Sequence, residues 1–198
     1  SLRQLKDNYD NTISNYEKSK LIENNNKSFV LIIPSYNNDK WFKKNLDSVF
    51  NQKYPFWRVI YVDDASTDNT FENVNNYIKE KNMENKVKII QNSTNKKQAY
   101  SRYIAYNMCF DDEICCFLDG DDWLYDENVL DKLNKVYLKN NLLSSYGQFY
   151  YFEDSKLDFL SGRYEFPKEI VEKKNYRNYK WISQHFRTGE ASILKTLK

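Results

Sequence analysis

From residue 28 to about residue 140 the chain repeats one unit four times: a short apolar run that stops abruptly at polar residues, then a helical stretch with one apolar face. Phe29-Val30-Leu31-Ile32-Ile33 is too short and too uniformly apolar for an amphipathic helix, and it meets Pro34, so it reads as a buried strand. Val59-Ile60-Tyr61-Val62, Val87-Lys88-Ile89-Ile90 and Ile114-Cys115-Cys116-Phe117-Leu118 repeat the pattern. Between and after them, helices are predicted from a cap at Asn37-Asn38-Asp39 through Phe50, then over about 69–78, 96–110 and 126–140. Strands separated by helices are those that can lie parallel, because a parallel neighbour needs a crossover connection. The prediction is an α/β fold with a mainly parallel sheet flanked by helices.

The flanks of this repeat read differently. Residues 1–27 are polar, with Leu2, Leu5, Tyr9, Ile13 and Tyr16 spaced as one helical stripe, and they are expected to form a peripheral helical extension. Either that helix packs on its own chain or it seats a second copy, giving a homodimer. Residues 28–198 form the expected main domain. After residue 142, Leu143 to Phe152 reads as a strand, with 157–164 returning as a hairpin or loop.

Composition narrows the partners. With 30 Lys+Arg against 28 Asp+Glu the formal charge is +2, so no one-signed field advertises nucleic acid or a membrane surface. The segment 163–187 is basic and aromatic, yet a diphosphate pocket with ordinary solvated surface has the same look, and nucleic acid is not expected. No uncharged stretch approaches the ~18 residues of a membrane span. Three cysteines, two of them adjacent in an apolar run, make neither a disulfide framework nor a zinc spacing, which points to a reducing, cytoplasmic setting. An opening at Ser1 and an end inside a helix-like segment predict a piece of a longer polypeptide.

In open parallel sheets, ligands lie beyond the carboxyl ends of the strands. Three polar clusters fall there: Pro34-Ser35-Tyr36-Asn37, Asp63-Asp64-Ala65-Ser66, and Asp119-Gly120-Asp121-Asp122. In extended backbone, Asp119 and Asp121 would face the same way, with Gly120 letting a ligand approach the main chain. Two such carboxylates suit Mn²⁺ or Mg²⁺ shared with phosphate and water. The plainer alternative is a solvated acidic turn that caps the next helix. A calcium loop fails, because its Gly and Glu positions fall on Leu124 and Leu130. An aspartyl-phosphate phosphatase would place its paired carboxylates after the first strand, whereas these follow the fourth. Asp63 and Asp64, adjacent in sequence, should point to opposite faces. One can face a nucleotide base while the other caps a helix.

Taken in order, Phe29 to Asn37, Val62-Asp63-Asp64-Ala65-Ser66-Thr67-Asp68, and Phe117-Leu118-Asp119-Gly120-Asp121-Asp122-Trp123 resemble the family 2 glycosyltransferases of GT-A, Rossmann-like fold. The resemblance is strong over 28–140 and extends more faintly through Trp181 to Thr188; residues 1–27 lie outside it. It implies a UDP-sugar donor, an acceptor hydroxyl on a glycan or protein, and transfer with inversion. Pro34, Ser35 and Tyr36 would line the base pocket and Asp64 would accept from uracil N3. Arg102 would contact the nucleotide, although Asn95-Lys96-Lys97 stands where the family has a glycine-containing approach. Asp119 and Gly120 would meet the ribose or the metal's water shell, Asp121 would bind the metal directly, and the lone histidine, His185, would complete the metal site or touch the diphosphate unless it is purely structural, with Arg187 offsetting phosphate charge. The catalytic base is unassigned: Glu190 and Asp154 are unanchored, and the acceptor side is expected to be incomplete. A nucleotidyltransferase would want a Gly-rich phosphate loop after the first strand, which is missing here, and a non-catalytic nucleotide-binding or assembly module is the remaining alternative.

Overall fold

The computed structural model describes residues 26–140, 142–153, 156–161, 165–175, 178–179 and 185–196. The helix expected over 1–27 falls almost wholly outside them. Four strands follow the predicted runs: β1 (Phe29–Ser35), β2 (Trp57–Asp63), β3 (Val87–Gln91) and β4 (Ile114–Phe117). The helices between and after them are α1 (Phe42–Phe50), α2 (Thr70–Glu80), α3 (Lys97–Tyr106) and α4 (Val129–Asn140).

β1 pairs in parallel with β2 on one side and β4 on the other, and β2 pairs in parallel with β3. Every residue of β1 and β2 is buried, as expected where helices cover both faces of a parallel sheet. The alternation of the strands divides the core in two. Phe29, Leu31, Ile33, Val59, Tyr61 and Cys116 face α1, α2 and α4, whereas Val30, Ile32, Ile60, Val62 and Cys115 face α3. Cys109, Cys115 and Cys116 are free thiols buried in these layers, and burial pushes the Cys109 and Cys116 thiols far up from their ordinary range.

The second half departs from the sequence reading. The run from Leu143 to Phe152 is two strands: β5 (Ser144–Ser145) and β6 (Tyr150–Glu153), the latter forming a separate antiparallel pair with β7 (Lys156–Leu160). The break comes at Gly147-Gln148-Phe149. There the backbone turns to Ser161: Phe149 N–H donates to Ser161 Oγ and the Gln148 amide to Ser161 O. A short helix α5 (Lys168–Glu172) follows. β8 (Arg187–Glu190) then runs antiparallel between β4 and β5 and leads into α6 (Ala191–Leu194), giving the order β3-β2-β1-β4-β8-β5. Arg187-Thr188-Gly189-Glu190 has no apolar run to announce a strand. Its anchor is the buried Thr188 hydroxyl, 2.6 Å from Tyr137 Oη and 2.7 Å from Ser145 Oγ. α4 starts at Val129, later than predicted, because residues 126–128 make a turn in which Asp126 accepts from Asn128 N–H.

No helix among the described residues is long and apolar enough to cross a membrane.

Candidate active site

The carboxyl ends of β1, β2 and β4 lie side by side, and their loops are stitched together. Asn37 N–H donates to Ser66 Oγ, Asn38 N–H to Thr70 Oγ1, and Thr67 N–H to Asn37 Oδ1. Asn37 holds a left-handed φ of 55°, which asparagine tolerates better than most residues. Gly120 N–H donates to Pro34 O, extending the β1–β4 ladder past the strand. A Cβ on Gly120 would sit 2.6 Å from Asn38 Nδ2 and 2.9 Å from Ser35 Cβ. The glycine is therefore required by the close approach of two loops, where the sequence argument invoked the approach of a ligand. Ser35 is buried and its hydroxyl accepts from Tyr61 Oη and the Asn38 amide, while Tyr36 is 45% exposed above it.

Asp63 and Asp64 part as expected of neighbours on a strand. Asp63 closes its own turn by accepting from Ser66 N–H and Oγ, and also takes the Gln91 amide. Asp64, 4% exposed, accepts from Asn92 Nδ2 at 2.7 Å, Lys96 N–H at 2.8 Å and Lys97 N–H at 2.7 Å. The helix that Asp64 caps is thus α3. Desolvation is the largest single influence on Asp68 and pushes its carboxyl up, but the bonds it accepts from Thr70 N–H and Oγ1 at the start of α2 and from Asp39 N–H together hold it below the usual range. Lys97 takes the left-handed conformation, φ 71°, within the stretch where the resemblance led to the expectation of a glycine.

The acidic loop after β4 is a turn. Asp122 N–H donates to Asp119 O at 3.0 Å, bringing residues three apart together. Oxygens of Asp119 and Asp122 and a nitrogen of His185 lie within 4.8 Å of one another. His185 Nδ1 is 3.5 Å from Asp122 Oδ2. Asp121 is exposed and outside this group. The spacing argument assumed extended backbone; an Asp-Gly pair beside two more aspartates is a turn signature, and that signal would have found Asp122. Burial raises the Asp122 carboxyl to about 6; the nearby His185 opposes this, and the charges of Asp119 and Asp121 add to it. Asp119 is held by Arg102, whose Nη2 donates to Oδ1, and Arg102 lies over the Phe117 ring. Burial, and then the neighbouring Arg102, lower the Arg187 guanidinium, with Asp119 acting against them. The two carboxylates suit Mn²⁺ or Mg²⁺, with the imidazole a ligand for Mn²⁺ more than for Mg²⁺, and among the described residues the buried Nε of Arg102 has no hydrogen-bond partner. Glu190 pairs with Ile114, at the opposite end of β4 from Asp119. That placement removes it as a base for chemistry at the acidic loop; Asp154 lies outside the described residues.

The carboxyl ends of the strands thus gather the exposed Tyr36, two acidic turns and the guanidinium groups of Arg102 and Arg187 where open α/β sheets place their ligands. The sequence matches the family model for Glycosyl transferase family 2 over residues 30–197, and the chain belongs to that family. It is 32% identical over 119 residues to an uncharacterized glycosyltransferase of Haemophilus influenzae, covering 60% of this chain and 46% of that protein. It is 28% identical over 149 residues to the Escherichia coli UDP-Glc:alpha-D-GlcNAc-diphosphoundecaprenol beta-1,3-glucosyltransferase WfgD, covering 75% and 54%. The chain thus spans about half the length of these relatives. Among solved structures, Staphylococcus aureus TarS 1–349 in complex with UDP-GlcNAc superposes with a TM-score of 0.65 at 21% identity, covering 85% of this chain and 47% of that one. The shared architecture is the GT-A, Rossmann-like sheet.

Proposed function

We propose that this chain is the donor-binding part of a metal-dependent glycosyltransferase that moves a hexose from a UDP-sugar to an acceptor hydroxyl with inversion. The observation that carries the reading is the convergence of Asp119, Asp122 and His185 beside Arg102 and Arg187 at the carboxyl end of β4. The UDP-glucose named for the E. coli relative and the UDP-GlcNAc bound to TarS support a uridine donor, and the saccharide acceptor of the E. coli relative supports a sugar hydroxyl as the acceptor class.

Each residue then has a task its geometry allows. Tyr36 offers an exposed ring to flank a base, with Pro34 and Ser35 forming the floor. An ionised carboxylate has about four acceptor positions. Asp64 uses two on the main chain at the start of α3 and one on the Asn92 amide, leaving one for uracil N3–H. Asp119, Asp122 and His185 would hold Mn²⁺ or Mg²⁺, with Asp121 the nearest further carboxylate in sequence. The ion, when bound, would neutralise charge on the departing diphosphate. Arg102 and Arg187 add fixed positive charge for the same phosphates. A nucleotide here would also leave Gly120 undisturbed, because its missing Cβ is taken up by Ser35 and Asn38.

Calorimetry of UDP in Mn²⁺ and then in EDTA tests the reading. Binding should need the metal, fall at least tenfold in Asp122→Ala and change less in Asp121→Ala. Asp64→Ala should weaken UDP more than it weakens inorganic pyrophosphate. Metal-independent or absent UDP binding would overturn the proposal.

A further inference from the structure

Beyond the acidic loop stands a ladder of aromatic rings that the donor site does not use. Trp123 and Tyr125, two residues apart and immediately after Asp122, face Phe152 and Tyr150, two apart on β6. The Trp123–Phe152 centroids are 4.8 Å apart, edge to face, and the Tyr125–Tyr150 rings stack at 5.1 Å. Trp41, at the start of α1, stacks on Trp123 at 6.0 Å and closes the inner end. The outer rung is open, with Tyr125 65% and Tyr150 40% exposed.

Two ammonium groups sit on the inner rung. Lys44 Nζ lies 3.7 Å from the Trp123 centroid and 3.8 Å from that of Phe152, and Lys40 Nζ lies 4.5 Å over Trp41. Among the described residues, neither has a carboxylate within 4.0 Å. The ladder is also fixed to the donor side: Asn45 on α1 donates to the carbonyls of both Asp119 and Asp122, at 3.0 and 2.7 Å.

We propose that this ladder is the acceptor subsite and that it selects a phosphorylated saccharide, the sugar ring lying on Tyr125–Tyr150 and its phosphate on Lys44 and Lys40. This deepens the glycosyltransferase reading and rests on it. A pyranose has an apolar C–H face that suits an aromatic ledge, with hydroxyl edges left to water. An ammonium held against rings, without a carboxylate, is a point charge ready for a phosphate. A neutral sugar would engage the ledge and leave both lysines unused.

Tryptophan fluorescence tests this directly, since Trp41 and Trp123 belong to the ladder. With UDP and Mn²⁺ saturating, N-acetylglucosamine 1-phosphate should change the emission at concentrations at least tenfold below those needed for N-acetylglucosamine. Lys44→Met should abolish that preference, and Lys44→Arg should restore most of it. Equal response to the two sugars, or a preference that survives Lys44→Met, would overturn the subsite. So would response only to vesicles of anionic phospholipid. If UDP–Mn²⁺ does not bind while the Lys44-dependent preference persists, the donor reading falls and the saccharide-phosphate site stands.

Discussion

Asp122 and Ala65 each hold a state their residue type resists, and each resistance can be measured. Asp122 titrates at about 6 in the folded protein against 3.8 for an unperturbed aspartate, burial being the main cause. Between those values the folded state holds more proton than the unfolded one, so this carboxyl's contribution is fully favourable below pH 3.8 and is lost as pH rises through 6. In metal-free buffer Asp122→Asn should therefore melt at a higher temperature than the parent at pH 7. The gap should close toward pH 4, and Mn²⁺ should reverse the order at pH 7; melting curves at the two pH values check this. Ala65, between Asp64 and Ser66, sits at φ 60°. A left-handed residue with a Cβ costs roughly 1–2 kcal/mol, partly offset by the greater freedom of an unfolded glycine. Ala65→Gly should gain up to about 1 kcal/mol in urea denaturation. At this scale the sequence singled out Asp64, Arg102, Asp119 and His185, and the structure brings the last three together at the end of β4. It could not show that Asp64 would take two main-chain N–H groups at the start of α3 as well as the Asn92 amide, because main-chain donors are ones any residue supplies.

Elements were legible where burial was symmetrical. β1, β2 and β4 are apolar on both faces, and a run of that kind reads plainly, whereas β8 and β5 are held by hydroxyl pairs among Thr188, Tyr137 and Ser145 and have no pattern. A buried ion pair between elements was equally silent. Arg58 on β2 forms two bonds to Glu113 just before β4, Nε to Oε1 at 2.8 Å and Nη2 to Oε2 at 2.6 Å, with both side chains buried. Glu113 also accepts from Phe110 N–H, so the pair secures the turn between α3 and β4. Removing one partner leaves a desolvated charge, which costs about 3–5 kcal/mol. Glu113→Ala should lose that much in denaturant titration. The Arg58→Met, Glu113→Leu double variant should recover most of it, because two apolar groups leave no charge behind.

Over the whole molecule, the mainly parallel sheet was readable from strand–helix alternation and the β6–β7 return from the hairpin reading after residue 142, while the strand order and the antiparallel edge were not. A ligand that binds only the folded chain stabilises it by RT ln(1 + [L]/Kd), about 2.7 kcal/mol at a hundredfold excess over Kd. UDP with Mn²⁺ should raise the melting temperature in a concentration-dependent way that EDTA cancels. The sealed thiols add a built-in clock. Cys115 and Cys116 point to opposite faces of the strand that ends at the acidic loop, and Cys109 lies close behind. A maleimide reaches them once the helical layers packed on the two faces of the sheet come away. The pace of alkylation therefore times the opening of the sheet's centre, and anything that clasps the loop at its tip should slow the tick.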